Sequence, residues 1–196
     1  AGILTIGDLA KSSEAMLKKM FGIMGPALIM MAKGEGDDDV RASHVEHDAK
    51  SMGHEHTFFK DTDNRDEVLG LLLYLSDRTS RRLRQSGCEA RTVTLKVRKS
   101  DFKLVTRAHT LSAYFRSEKV IYRTAKELLI KNRFIENPIR LIGVNVCNLR
   151  ESIDIEEPDL FGNTFRKRDD RLDKLIDGLR DRHGEESIFF AGSHLL

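Results

Sequence analysis

Between Arg91 and Lys99 the chain alternates without a break, with Val93, Leu95 and Val97 at one parity and Thr92, Thr94, Lys96 and Arg98 at the other. A strand turns successive side chains to opposite faces, so this pattern predicts a half-buried strand with an apolar underside and a cationic, hydroxyl-bearing upper side. Ser100 and Asp101 read as a tight turn, and a second run from Phe102 carries Lys103, Arg107 and His109 at a common parity. The pair reads as a hairpin. Val105 shares that parity, which leaves the facing of the second strand open. Lys, Arg and Thr projecting from one surface can lie along a nucleic-acid backbone, because cations displace condensed counterions and hydroxyls hydrogen-bond to phosphate oxygens. The competing reading is an exposed sheet face kept soluble by its charge.

The charge distribution bears on that choice. The net charge of +2 is too small to argue for nucleic acid. Yet Arg78, Arg81, Arg82, Arg84, Arg91, Lys96, Arg98, Lys99, Lys103 and Arg107 face only Glu89 and Asp101 between residues 78 and 107, so the basic charge gathers around the hairpin. With 40% hydrophobic and 33% charged residues in 196, the composition is that of an ordinary globular protein of one generous domain or two small ones. There is no apolar run of membrane-spanning length and no secretory leader pattern, which points to a cytosolic protein without membrane partners. Cys88 and Cys147 stand far apart and read as reduced packing residues.

Taken in order, the chain opens with Gly2, Ile3, Leu4, Thr5, Ile6 and Gly7 ahead of Asp8, Leu9 and Ala10. Glycines bracketing apolar residues before a helix let backbone amides point at a phosphate, the form of the hairpin in a helix-hairpin-helix element whose first helix would precede Ala1. A plain helix start is the alternative. Helices are predicted through Met16, Leu17 and Met20, and from Pro26 through Leu28, Ile29 and Met31 to Gly34. Residues 36–52 turn acidic and polar, with Asp37, Asp38 and Asp39, and read as a linker. His44, His47, Asp48, His54 and His56 lie in or just beyond it, but without a Cys pair or His-x-x-x-His spacing they read as solvated histidines and no metal site is expected.

Met52 to Phe59 then suits a strand, and Asn64 to Ser86 a helix with Val68, Leu71, Leu72, Leu75, Thr79 and Leu83 on one face and Gly87 to stop it. After the hairpin, Ser117 caps a helix carrying Val120, Ile121, Thr124, Leu128 and Leu129, and Ile139 to Leu149 forms a last strand. Strand, helix, hairpin, helix, strand is the ferredoxin-like βαββαβ order. It gives an α+β domain, a four-stranded antiparallel sheet with both helices on one face and the other face open. RNA-recognition modules share this order but stack bases on strand aromatics, and the matching strand here offers Lys96 and Arg98 instead. Charge without stacking favours a duplex backbone. Beyond Arg150, Glu157, Pro158, Asp159, Leu160 and Phe161 offer a short apolar anchor for another protein, or else an incidental contact. A helix with Leu172, Leu175, Ile176 and Leu179 at helical spacing and a short strand at Ile188, Phe189 and Phe190 complete the expectations.

Three stretches together resemble the C-terminal part of Y-family DNA polymerases of the DNA polymerase IV type, the translesion enzymes. Gly2 to Ala10 (GILTIGDLA) is similar to the thumb hairpin, Lys50 to Phe58 (KSMGHEHTF) to the start of the little-finger domain, and Arg91 to Arg107 (RTVTLKVRKSDFKLVTR) to its central hairpin. With Ile139 to Leu149 they cover nearly the whole chain in the family's order. The resemblance implies a small all-α thumb remnant over residues 1–35, a linker over 36–52, a little-finger domain over 53–150 and a C-terminal extension over 151–196. It implies a duplex primer-template as ligand, with backbone contacts from Gly2 and Gly7 in the thumb. In the little finger it points to Ser51, Gly53, Thr57, Thr94, Lys96, Arg98, Lys103, Thr106, Arg107, Arg140 and Asn145. Glu157, Leu160 and Phe161 fall where some bacterial members carry a sliding-clamp peptide, with Glu157 in place of the family's glutamine. The palm carboxylates that hold magnesium for nucleotidyl transfer have no counterpart here. The chain is therefore expected to grip DNA without polymerising, bind no cofactor of its own and belong to a parent enzyme of lesion bypass and repair. The alternative function is a protein-interaction module that binds a sliding clamp through Leu160 and Phe161.

Overall fold

The computed structural model describes residues 2–36, 49–152 and 164–193. The chain divides into two compact units, residues 1–47 and 48–196. Residues 37–48 of the predicted linker, with His44, His47 and Asp48, lie outside the described residues, as does the candidate clamp peptide Glu157, Leu160 and Phe161.

In the first unit, α1 (Ile6–Ala10), α2 (Glu14–Phe21) and α3 (Met24–Ala32) follow in close succession. Thr5 caps α1 with a capping box. Its Oγ1 accepts from the Asp8 amide at 3.1 Å, and Asp8 Oδ2 accepts in return from the Thr5 amide at 3.0 Å and the Leu4 amide at 3.2 Å. The hydrogen bond from Thr5, with those from the Leu4 and Thr5 amides, holds the Asp8 carboxyl below the usual carboxylate range.

In the second unit, β1 (Ser51–Thr62), α4 (Arg65–Gln85), β2 (Cys88–Lys99), β3 (Leu104–Phe115), α5 (Glu118–Lys131) and β4 (Ile139–Cys147) give the predicted βαββαβ order. β1 begins at Ser51, so Ser51 and Met52 belong to the sheet and not to the linker. Asn64 starts α4 by accepting from the Asp66 amide at 3.0 Å and the Glu67 amide at 3.4 Å, and Ser117 starts α5 by accepting from the Lys119 amide at 3.3 Å. The strands lie in the order β1-β4-β2-β3, every neighbour antiparallel, so β4 and β2 are central and β1 and β3 form the edges. A two-residue strand absent from the sequence reading, β5 (Arg150–Glu151), pairs with the start of β2 and makes the sheet five-stranded.

Both long helices cover one face. Val93, Leu95 and Val97 of β2 and Ile142, Val144 and Val146 of β4 are buried against Val68, Leu71, Leu72, Leu75 and Leu83 of α4 and Ile121, Ala125 and Leu129 of α5. Burying such side chains is worth about 1.5–3 kcal/mol each, which makes this layer the main stabilising element of the unit. Pairing breaks once along each edge strand and once between β2 and β4, at Arg98/Lys99. The β1/β4 register shifts between Thr57 and Thr62, and the β2/β3 register shifts between Ala90 and Thr92, where Leu111–Tyr114 of β3 bulge out.

The C-terminal helix α6 (Thr164–His183) lies beside α4. The strand predicted at Ile188–Phe190 is absent. That segment is irregular and leads into a 3-10 turn at Ala191–Ser193, and the Ile188 carbonyl, which a strand would spend on a neighbour, accepts from Arg180 Nε at 3.0 Å and Nη2 at 2.8 Å. No helix of the described residues is long and apolar enough to cross a membrane.

Candidate nucleic-acid interface

The sheet register defines what the uncovered face displays. Its side chains fall in four rows across β1, β4, β2 and β3: Ser51, Cys147, Thr92, Thr110; then Gly53, Asn145, Thr94, Ala108; then Glu55, Gly143, Lys96, Thr106; then Thr57, Leu141, Arg98, Leu104. Ser51, Gly53, Thr57, Thr94, Lys96, Arg98, Thr106 and Asn145, all expected from the sequence to contact DNA, therefore share one surface. An open depression at its centre is lined by Gly53, Glu55, Thr94, Lys96, Thr106, Gly143 and Asn145.

Two glycines make that depression. A Cβ on Gly143 would stand 2.8 Å from the Cβ of Glu55, and one on Gly53 would stand 2.4 Å from the Val144 carbonyl oxygen. With no side chain at Gly143, Lys96 on β2 reaches across the middle strand and bonds Glu55 Oε2 on β1 at 2.6 Å. Glu55 is the residue of this face that the sequence reading left out. Its signal was available, because Ser51, Gly53, Glu55 and Thr57 share one parity on β1. Lys96 thus carries a resident anion, whereas Arg98 has no carboxylate partner among the described residues.

Three predicted contacts stand elsewhere in this unit. Arg107 pairs with Leu95, so it points to the helix side of the sheet. Its Nε donates to Asn132 Oδ1 at 2.8 Å, and its guanidinium sits 5.9 Å from the Phe134 ring centroid. The physical reason is parity: Thr106 opposite Lys96 occupies the open face, so its neighbour cannot. Lys103 lies in the hairpin turn, highly exposed and 3.1 Å from Asp101. Hydrogen bonds from the Lys103 amide and side chain hold the Asp101 carboxyl low. Arg140 sits at a β4 bulge, where Arg98 pairs with Leu141 and Lys99 with Ile139. It reaches Asp61 at 3.3 Å and lies over the Phe102 ring at 4.5 Å. Bulges re-aim side chains in this way. Phe102 itself holds a left-handed backbone with φ of 62°, rare for a bulky residue. Gly2 and Gly7 belong to the first unit. Gly7 lies in the first turn of α1, and the Leu4 and Thr5 amides between the two glycines are already bound by Asp8.

His54 and His56 alternate with the open-face residues and therefore face the helices. His54 Nδ1 lies 3.4 Å from Thr79 Oγ1, and burial, with Arg78 and Arg82 nearby, lowers its pKa. His56 meets Phe58 edge-on at 6.0 Å.

The fold is a βαββαβ domain with one sheet face covered by helices and the other open, carrying cations, hydroxyls and an amide around a glycine-floored depression. Residues 49–160 match the impB/mucB/samB family C-terminal domain, and the chain belongs to that family. It is similar to DNA polymerase IV 1 of Mesorhizobium japonicum, 37% identical over 95% of this chain and 42% of that protein. It is also similar to DNA polymerase IV of Desulfatibacillum aliphaticivorans, 34% identical over 95% of this chain and 47% of that protein. The chain thus spans less than half the length of these relatives. A solved structure described as a post-insertion binary complex of Dbh DNA polymerase aligns with 75% of this chain and 42% of its own at 18% identity, with a TM-score of 0.42. The family match and the DNA polymerase IV relatives bear out the expected kinship with the C-terminal part of Y-family polymerases.

Proposed function

We propose that this chain is the duplex-holding part of a translesion DNA polymerase, gripping primer-template through phosphate contacts on the open face, while nucleotidyl transfer belongs to residues outside it. The observation that carries this reading is the convergence of Thr94, Lys96, Arg98, Thr106 and Asn145 on one uncovered surface. Hydroxyl, amide and cationic groups in that arrangement suit phosphate oxygens, and contacts to phosphate carry no sequence information of their own. The names of the relatives, DNA polymerase IV, agree with it.

Duplex binding measured by fluorescence anisotropy across a salt series tests the proposal. Affinity should fall steeply with salt, and Arg98→Ala should lower it nearly equally for unrelated sequences while reducing the logarithmic salt slope by about 1. Salt-independent binding, or binding confined to one sequence, would refute it. Lys96→Ala should change the slope less than Arg98→Ala, because a phosphate arriving at Lys96 displaces Glu55 and releases fewer bound counterions. The chain alone should incorporate no nucleotide with magnesium present.

A further inference from the structure

The open face does not end at Thr92. Ala90 pairs with Phe115, and both are buried in the core, so the alternation restarts at the bulge and Glu89, Arg91 and Tyr114 turn away from the helices. Beside them β5 places Arg150 directly opposite Glu89. The guanidinium carbon of Arg150 lies 3.8 Å from the Tyr114 ring centroid and that of Arg91 lies 5.9 Å from it. Glu89, only 2% exposed, accepts from Arg150 Nε at 3.2 Å and Nη2 at 2.8 Å, and Arg91 Nε donates to the Leu111 carbonyl at 2.9 Å. The Arg150 side chain is nevertheless 43% exposed.

We propose that Arg91 and Arg150, arrayed on the ring of Tyr114, form a second phosphodiester-binding site that takes the duplex backbone at a point remote from the depression around Lys96. This rests on the reading of the open face as a DNA surface. Surface arginines ordinarily lose much rotamer freedom on binding. Here the ring and the buried carboxylate hold them beforehand, which lowers that cost. The bonds to Glu89 and Leu111 use Nε of both residues and Nη2 of Arg150, so that among the described residues Arg150 Nη1 and both Nη groups of Arg91 remain for an incoming anion. Arg116, bonded to Ser152 at 3.0 Å, adds positive charge to the corner, and Glu89 and Glu151 are the carboxylates that β2 and β5 bring to it. From Arg98 to Arg91 strand β2 runs roughly 23 Å at about 3.3 Å per residue, so one phosphate cannot serve both places.

The test is anisotropy with a mixed-sequence primer-template duplex across a salt series. Arg91→Gln, which breaks no ion pair, should weaken binding about three- to tenfold and reduce the salt slope by about 1. Arg150→Gln combined with Glu89→Gln should do the same, the second change sparing the fold a buried carboxylate that has lost its Arg150 bond. Tyr114→Leu should weaken binding by releasing both guanidiniums. Each loss should add to that of Arg98→Ala, as expected of separate sites. Unchanged affinity and slope in Arg91→Gln, while Arg98→Ala still weakens binding, overturns this site and leaves the reading of the face intact. No change in any of these variants overturns the reading of the face itself.

Discussion

Helix α4 is held on its two sides by opposite chemistry. Toward the sheet it buries Val68, Leu71, Leu72, Leu75 and Leu83. Toward α6 it presents Arg78, Arg81 and Arg84, which meet Asp173, Asp177, Asp181 and Glu185, while Arg180 of α6 returns a bidentate bond to Asp77 at 3.1 and 2.7 Å. Asp173, Asp177 and Asp181 recur every fourth residue along a single stripe of α6, and Glu185 follows just beyond the end of the helix. Leucines 172, 175 and 179 of the same helix stay outside, at 51%, 66% and 40% exposure. Apolar burial is not screened by salt, whereas exposed paired charges are, and any pair suffers from the loss of either partner. The difference makes the sheet side the permanent attachment and the α6 side the conditional one.

The comparison is most sharply tested on the sheet side. Leu72→Ala should cost about 2–5 kcal/mol in urea unfolding, with little dependence on salt. Next, Arg180→Ala strands the Asp77 carboxylate in a buried position and should cost about 3 kcal/mol, whereas replacing both partners by leucine should cost much less. A double substitution as damaging as the single one would break the ionic account. Third, raising salt should speed amide exchange in α6 before it affects β2, because exposed members of the network such as Arg78 and Glu185 are screened first. The smallest effect is a pH response at His54, packed between β1 and α4. Burial, followed by Arg78 and Arg82, depresses its folded pKa below the ordinary 6.5, so its contribution is complete above 6.5 and is lost as the pH falls through the folded value. Thermal stability should decline on acidification, and less so in His54→Gln.

The layout was largely readable where burial forces a period. β2 alternates because one side meets the helices, and α4 repeats its leucines for the same reason. β3 escaped because an edge strand leaves both parities wet. Lys103, Arg107 and His109 looked like a common face, and only pairing with Leu95 and Val93 reveals that Arg107 and His109 point to the helix side. The leucine spacing predicts the helix at residues 164–183 but not its contact surface, since the stripe that docks is ionic. On the open face, Lys96 and Arg98 fall on the side that the alternation of β2 predicts, one strand at a time. The Lys96–Glu55 bond spans three strands with a glycine between, a relation that no local pattern encodes.

The register breaks described for β1 and β3 also govern how copies of the protein behave toward one another. An outer strand with an unbroken, straight edge invites another chain to add on, and natural sheets blunt such edges with bulges and charge. Here both borders are interrupted, at Thr57–Thr62 on one side and at Leu111–Tyr114 on the other, with Arg107 and His109 along the second. Those interruptions shorten the straight run of unpaired backbone that each border offers for intermolecular sheets to grow from.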